Sequence, residues 1–483
     1  MNEETRQTAV MECSLSYLLS DENGHEIEKG EAKARLSEEN LSILPKFKEA
    51  LFFSLLDILK ISDCDYKIHL TISSKEKLIL SNLGYRYEDF LRVLSRLRNE
   101  LLLKHLLMHE TLKKSGVEAD FSYFNEIEKE KRSGRCRIRL YETAIVIIPE
   151  KGDITRIPYS DILEIHEENY TLVLNTEFGE KITFSKMGQQ FEPLKNILSE
   201  TISELSLKVQ SSLKNLLPQA NPSIIRRAAK FMKEGKAARR IDIESVSPEL
   251  WLELEKKLAA AGVKDEYALL KSIACKEKMC IGLKQGLLGD LTGEYIWFLI
   301  PIYSISTQEP GNAVAMEAIS SEGGGKATYF FRIVPRKEYQ NFKDIKDLNK
   351  KVDVFIKRIN RCMLDINFRR EPIYLPDEKL EEPQYQKYKL AIQRIPSLQD
   401  LRQLFIGRVI HSSYEQWKED VINLLTFNVK AQEDDIKWSK TKTALENRLT
   451  GPAPQKFDET AAKESLPKIE LELDLSRTKK EGR

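Results

Sequence analysis

The sequence predicts an α+β chain that opens with two copies of one small unit, each a bent antiparallel sheet closed by a C-terminal helix. Three observations carry this: an ungapped internal repeat, short runs of alternating apolar and polar residues in each copy, and an amphipathic helix ending each. Laying residues 30–101 over 134–205 at a constant offset of 104 aligns Gly30 with Gly134, Leu36 with Leu140 and Pro45 with Pro149. Asp57-Ile58-Leu59 meets Asp161-Ile162-Leu163, Tyr66 meets Tyr170, Gly84 meets Gly188 and Leu101 meets Leu205. Apolar character persists where identity fails, as at Ile68/Leu172, Leu80/Phe184, Phe90/Leu194 and Val93/Ile197. A period this long is no solenoid unit; it reads as a duplicated domain.

In the first copy, residues 9–19 and 31–36 read as strands around Asp21-Glu22-Asn23-Gly24, an Asn-Gly hairpin signal. Strands are expected at 40–44, 51–61, 66–72 and 77–81. A helix follows from Tyr87 to His109, with Phe90, Val93, Leu94, Leu97, Leu101 and Leu102 on one face at helical spacing. Residues 110–133 read as a linker with one short strand near Phe121–Phe124. In the second copy, strands are expected at 135–141, 143–148, 154–157, 160–166, 169–175 and 180–186. Gly179 falls at a turn that calls for positive φ, and a helix from Phe191 to Leu207 closes the copy.

The stretch LYETAIVIIPEKGDITRIPYSDILEIHEENYTLVLNTEFGEKITF, followed by a helix, resembles pleckstrin-homology-like (PH-like) domains of the GRAM and bacterial PH type. The resemblance lies in an apolar strand, a short loop, an IPYSDI step into the next strand and a Tyr-x-Leu-x-Leu strand. It covers residues 120–207, most clearly 134–207, and the repeat extends it to 9–109. It implies a fold far more than a function, because the shared motifs are apolar patterns. PH-like domains can hold phosphoinositides on basic loops between their first strands. The corresponding loops here, Glu38-Glu39-Asn40 and Glu142-Thr143, are acidic or neutral, so the resemblance does not bring lipid binding with it.

Beyond the copies, residues 208–222 read as a linker, and Asn221-Pro222 as N-cap and first residue of a helix stopping near Gly235. Helix continues through Pro248 to Lys271. Strands follow at 279–284, 294–304, 312–319 and 326–334, then a helix over 342–366 and a short strand-and-helix set over 369–428. Strands ahead of a long helix raise the expectation of a third PH-like unit at 276–368. The domain scheme is 1–112 and 113–208 for the copies, 209–272 for a helical connector, 273–430 for a C-terminal α+β domain and 431–483 for a disordered tail. Within that tail, Ile469-Glu-Leu-Glu-Leu-Asp-Leu475 alternates in a way that could add to a sheet edge.

Composition excludes several classes. Lys+Arg and Asp+Glu nearly cancel, 76 against 75, so nothing pulls the whole chain toward nucleic acid or anionic membrane. The six scattered cysteines fit reduced thiols. The polar residues after Met1 carry no secretory pattern, and the apolar run Tyr295–Tyr303 is too short for a bilayer. A cytoplasmic location is the expectation.

No catalytic signature stands out. Gly323-Gly-Gly-Lys326 lacks Walker spacing, and Cys275 and Cys280 have no second pair to complete a zinc site. His105 and His109 share a helix face at metal-holding spacing but lack a third ligand. The expectation is no enzyme, no cofactor and no metal. The one suggestive patch is basic: Arg226, Arg227, Lys230, Lys233, Lys236, Arg239 and Arg240, a candidate for phosphates or lipid headgroups. A second, weaker cluster comprises Lys357, Arg358, Arg361, Arg369 and Arg370. The leading expectation is a non-enzymatic scaffold binding protein partners at sheet edges and beside the closing helices. The alternative is a peripheral adaptor binding anionic lipid through residues 226–240; an enzyme with its site in 276–430 is a third.

Overall fold

The structure, a computed structural model, describes residues 9–106, 110–127, 129–285, 293–305, 311–320, 327–430 and 437–438. Every element below lies in the compact unit Met1–Lys437; a second unit spans Trp438–Arg483. Gly323–Lys326, His109 and the candidate strand Ile469–Leu475 fall outside the described residues.

The first copy contains β1 (Met11–Ser20), β2 (Glu26–Leu36), β3 (Asn40–Pro45), β4 (Leu51–Ser54), β5 (Ile58–Cys64), β6 (Lys67–Ile72), β7 (Lys77–Ser81) and helix α1 (Tyr87–Leu106). The second contains β8 (Leu112–Asn125), β9 (Lys131–Tyr141), β10 (Ala144–Pro149), β11 (Thr155–Pro158), β12 (Ile162–Glu168), β13 (Thr171–Thr176), β14 (Glu180–Ser185) and helix α2 (Phe191–Leu216). Both sheets are antiparallel and curled, with the same order: β4-β3-β2-β1-β7-β6-β5 and β11-β10-β9-β8-β14-β13-β12. Helix α1 plugs its sheet with Phe90, Leu94 and Leu101, and α2 does so with Phe191, Leu194 and Leu198.

The repeat survives at the level of single bonds. The offset of 104 carries β3, β4, β5 and β6 onto β10, β11, β12 and β13 residue for residue. The copies share a register shift at the same place, between Ile58 and Lys60 in one and between Ile162 and Glu164 in the other. Two-residue turns at Asp65-Tyr66 and Asn169-Tyr170 hold all four residues at positive φ, the conformation a tight hairpin of this hand demands. A tyrosine there is strained, at about 1–2 kcal/mol per left-handed residue. The rings offset part of this, since Tyr66 meets Tyr87 edge-on at 5.7 Å and Tyr170 meets Phe191 at 5.9 Å, contacts of about 0.5–1.5 kcal/mol.

Three expectations need correction here. The strand expected over 51–61 is two, β4 and β5, on opposite edges of the sheet and joined through a turn at 55–57. The expected linker 110–133 is largely β8, whose Val117, Ala119, Phe121 and Tyr123 alternate into the core. Helix α2 runs to Leu216, through the first half of the expected linker 208–222, because Val209 and Leu213 are buried.

The connector supplies α3 (Pro222–Phe231), β15 (Ala237–Arg239), α4 (Arg240–Glu244), α5 (Pro248–Leu258) and α6 (Lys264–Ser272). Asn221 caps α3 by accepting from the Ser223 amide, as its sequence signal predicts. The third sheet adds β16 (Cys280–Gln285), β17 (Glu294–Ile302), β18 (Ala313–Ser320) and β19 (Ala327–Phe331). The chain then forms α7 (Arg336–Tyr339), α8 (Ile345–Asp365), α9 (Glu371–Tyr374), α10 (Asp377–Leu380), α11 (Gln386–Arg394) and α12 (Pro396–Leu404), and ends in β20 (Phe405–Ile410) and α13 (Tyr414–Lys430). Strand order runs sequentially, β15-β16-β17-β18-β19-β20, so this region is not a third copy of the first two. Its strands read as continuous apolar runs because both faces are covered. On one face α8 packs Leu348, Val352, Phe355 and Ile359; on the other, Tyr267 of α6 meets Phe298, and Trp417 of α13 donates to Thr328.

Candidate functional site

The C-terminal half grips the same corner of both copies. In the first, the Arg394 guanidinium at the end of α11 donates to the carbonyls of Leu56, Ile58 and Leu59. Arg98 of α1, wholly buried, donates to Ile58 and Leu59 and pairs with Asp153 of the second copy. In the second copy, Lys233 donates to the carbonyls of Ser160 (3.1 Å) and Ile162 (2.8 Å), and Lys236 to Ser160 (3.0 Å). Ser160 and Ile162 are the repeat equivalents of Leu56 and Ile58. A bulged strand start leaves carbonyls that cannot join the ladder, and each set is capped by cations from outside its copy. Burial, reinforced by the Arg98 charge, pushes Arg394 down to about 9.

The predicted basic patch is therefore divided. Arg226, Arg227 and Lys230 lie exposed along α3. Lys233 is spent on the carbonyls of Ser160 and Ile162, and Lys236 is buried against Asp161 (2.8 Å) and Glu177. Arg239 pairs with Asp242 at 2.8 Å and Arg240 with Glu244 at 2.7 Å. Of the seven cations of the expected anion surface, three stay exposed. The second cluster is divided too. Arg361 reaches Glu180 at 3.0 Å and Asp161 at 3.5 Å, and Arg370 donates to the Ala318 carbonyl, while Lys357 and Arg358 stay exposed. Burial opposes the charge on Arg361, yet Glu180 and Asp161 outweigh it and hold the guanidinium above its usual value.

The copies differ at the sheet edge formed by β4 and β11. In the second, Arg156 of β11 pairs with Glu110 (2.6 Å) and with Asp365 of α8 (3.1 Å), so the C-terminal region is tied to this strand by a side chain. The equivalent position in β4 is Phe52, 63 % exposed, and the β3–β4 loop carries Phe47 at 96 %. Leu55 donates to Glu39 across the β3–β4 ladder. By the alternation of an antiparallel pair, the main-chain groups of Phe52 and the Ser54 amide then point to the open side, the Ser54 carbonyl accepting from Asp57 in the following turn. An apolar edge strand of this kind is a template for another strand.

A cavity of about 370 Å³ lies between β12, α2, α3 and the end of β16. Ile165, Ile202, Leu205 and Val209 give it apolar walls, and Lys284, Asn367 and Ser160 line it as well. The Lys284 ammonium donates to Asn367 at 2.6 Å and lies 4.4 Å from the Phe368 ring centre. Burial depresses Lys284 and raises nearby Glu234, which accepts from the Gln285 amide at 2.8 Å. In the first copy the position matching Ile202 is Arg98, whose guanidinium donates to the carbonyls of Ile58 and Leu59, the equivalents of the cavity-lining Ile162 and Leu163.

The remaining candidates resolve simply. All six cysteines are free; Cys280 is buried, which pushes its thiol up. Among the described residues, no group of three His, Cys, Asp or Glu could hold a metal ion, and no helix is long and apolar enough to cross a membrane. His411 sits between Glu266 (3.3 Å) and the buried Glu317 (3.1 Å), tying α6 to β18. Sequence reasoning missed Arg98, Arg394 and Lys284. The first two could have been found, because an arginine on an otherwise apolar helix face must find buried acceptors. Lys284 carried no such signal in its strand.

No protein-family model matches the chain, and no curated protein matches it in sequence.

Proposed function

We propose that the chain is a non-enzymatic interaction protein whose two PH-like units, of GRAM or bacterial PH type, form a platform for protein partners. The shared order of seven strands and the plugging helix support the PH-like reading of both copies. The observation that carries the function is the contrast between the β4 and β11 edges. Where the second copy presents Arg156 to its own C-terminal region, the first presents Phe52 to solvent. An extended segment of a partner would add to β4, main chain to main chain, with apolar side chains covering Phe52 and Phe47. The closing helices and the C-terminal half act as scaffold, fixing both copies through the capped carbonyls.

The test compares capture by the full chain and by a Phe47→Lys, Phe52→Lys variant, with circular dichroism as folding control. The reading requires that specific partners drop out of the variant; an unchanged partner set refutes it. The lipid alternative now rests on Arg226, Arg227 and Lys230. It predicts salt-sensitive sedimentation with anionic liposomes that disappears when these three become Glu.

A further inference from the structure

We infer that the cavity between β12, α2, α3 and β16 binds a small amphipathic monocarboxylate, its headgroup on Lys284 and its apolar tail along Ile165, Ile202, Leu205 and Val209. This is separate from protein capture at β4 and stands or falls on its own.

The first argument is an unspent cation. Lys284 is 5 % exposed, and an ammonium has three donors and no acceptor. Among the described residues its one hydrogen bond is to the Asn367 side chain, and Asn367 lines the cavity with it. The other two donors have no hydrogen-bond acceptor among the described residues, and adjoin only the Phe368 ring, 4.4 Å from the ammonium, and the cavity that Lys284 lines. Burying a charged amine without its hydrogen bonds is costly, and a strand that needed only packing would place an apolar residue here. The second argument is independent. The Ser160 hydroxyl, buried on the same cavity, has no hydrogen-bond partner.

Charge decides the ligand's sign. Four lysines line the cavity: Lys208, Lys230, Lys233 and Lys284. Two of the donors of Lys233 are spent on backbone carbonyls, and Lys208 and Lys230 are exposed. Of the carboxylates, Glu110 is neutralised by Arg156, and Glu164 is exposed and accepts from Asn175. Glu142 is half-buried, and Glu234, its carboxyl raised by burial, turns an oxygen to the Gln285 amide. The buried pole is thus a lysine with open donors, which a carboxylate fills and an amine or alcohol does not. The rest of the wall is mainly aliphatic, with Thr143, Tyr159, Ser206 and Gln285 set among it, and about 370 Å³ falls near the lower end of the roughly 300–1,000 Å³ typical of small-molecule sites.

The experiment is calorimetric titration of the full chain with decanoate, 1-decanol and decyltrimethylammonium, on wild type, Lys284→Met and Leu205→Trp. Decanoate should bind at one site, and decanol about tenfold or more weakly, for want of the charge-assisted bond. Lys284→Met should lose about the same factor for decanoate, since it keeps the stem and removes the donors. Leu205→Trp, which leaves Lys284 in place and fills the cavity, should abolish binding and covers the case in which Lys284→Met fails to fold. Decanol binding as well as decanoate, Leu205→Trp binding normally, or no decanoate binding by wild type would each overturn the proposal. So would preference for the amphipathic cation or for a short apolar peptide with a free C-terminus.

Discussion

Replacing Lys236 by Met should destabilise the protein by about 3 kcal/mol, at the low end of the range for breaking a buried ion pair. Lys236 is 7 % exposed and Asp161 is fully buried, with 2.8 Å between them. Lys236 also pairs with Glu177 and donates to the Ser160 carbonyl at 3.0 Å. The methionine keeps the stem and fills the space, so cavity formation contributes little. What remains within ion-pair distance of Asp161 among the described residues is the Arg361 Nε at 3.5 Å, with the Arg156 and Lys233 charges further off, and the Ser160 carbonyl has one donor fewer. Arg361 and the partial exposure of Glu177 hold the loss below the roughly 5 kcal/mol upper bound. Urea unfolding followed by tryptophan fluorescence would measure the midpoint shift, and hydrogen exchange at the Ser160 to Ile162 corner would localise it. Adding Asp161→Asn to Lys236→Met removes the stranded charge, and at least half of the lost stability should return. A single variant within about 1 kcal/mol of wild type, against the 3–5 kcal/mol of a broken buried pair, would refute the reasoning. So would a double variant whose losses simply add.

Three further expectations follow from the same packing. Arg394→Met should raise hydrogen exchange at residues 56–61 of the first copy and leave the equivalent corner at 160–165 protected, because the two corners are capped by different residues. Gly282→Ala should destabilise by roughly 2–4 kcal/mol or shift β15, from overpacking and lost pairing, because an added Cβ would meet the Trp297 Nε1 at 2.2 Å and the Lys236 carbonyl at 2.8 Å; thermal melting checks it. Burial, only partly offset by Arg156 and Arg361, raises Asp365 from 3.8 to about 6. The folded state then holds the proton more tightly than the unfolded one. This contribution is complete below pH 4 and is lost as pH climbs through 6, by about 3 kcal/mol at most. Asp365→Asn should flatten that segment of the stability–pH curve, and an unchanged slope would rule the assignment out.

The repeat was the legible part of the fold, since an ungapped register of apolar positions specifies strand pairing as well as strand existence. Strand β8 was hidden because its first half, Leu112-Lys-Lys-Ser-Gly116, has no alternation and a glycine at φ +75°. The register shifts there, between Leu112 and Lys114 and again before Val117, and a period-two pattern cannot survive such bulges. The basic stretch 226–240 was visible, but its division was not. Helical spacing groups Arg226 with Lys230 and Lys233, whereas the acceptors that claim Lys233 and Lys236 lie 59 to 76 residues earlier. The β4 edge was half legible: Phe52 falls in an expected strand, and only the strand order places that strand at a border. Lys284 sits in a strand whose neighbours are nearly all apolar, and nothing local says that its amine ends in a cavity.

The reading of the first copy as a strand-accepting platform is tested most directly by hydrogen exchange of the full chain with and without a partner captured by wild type and lost with Phe47→Lys, Phe52→Lys. The account predicts new protection at Leu51–Ser54, centred on the outward amides of Phe52 and Ser54, with α3 unchanged. Protection confined to Pro222–Phe231, or none along β4, would contradict it.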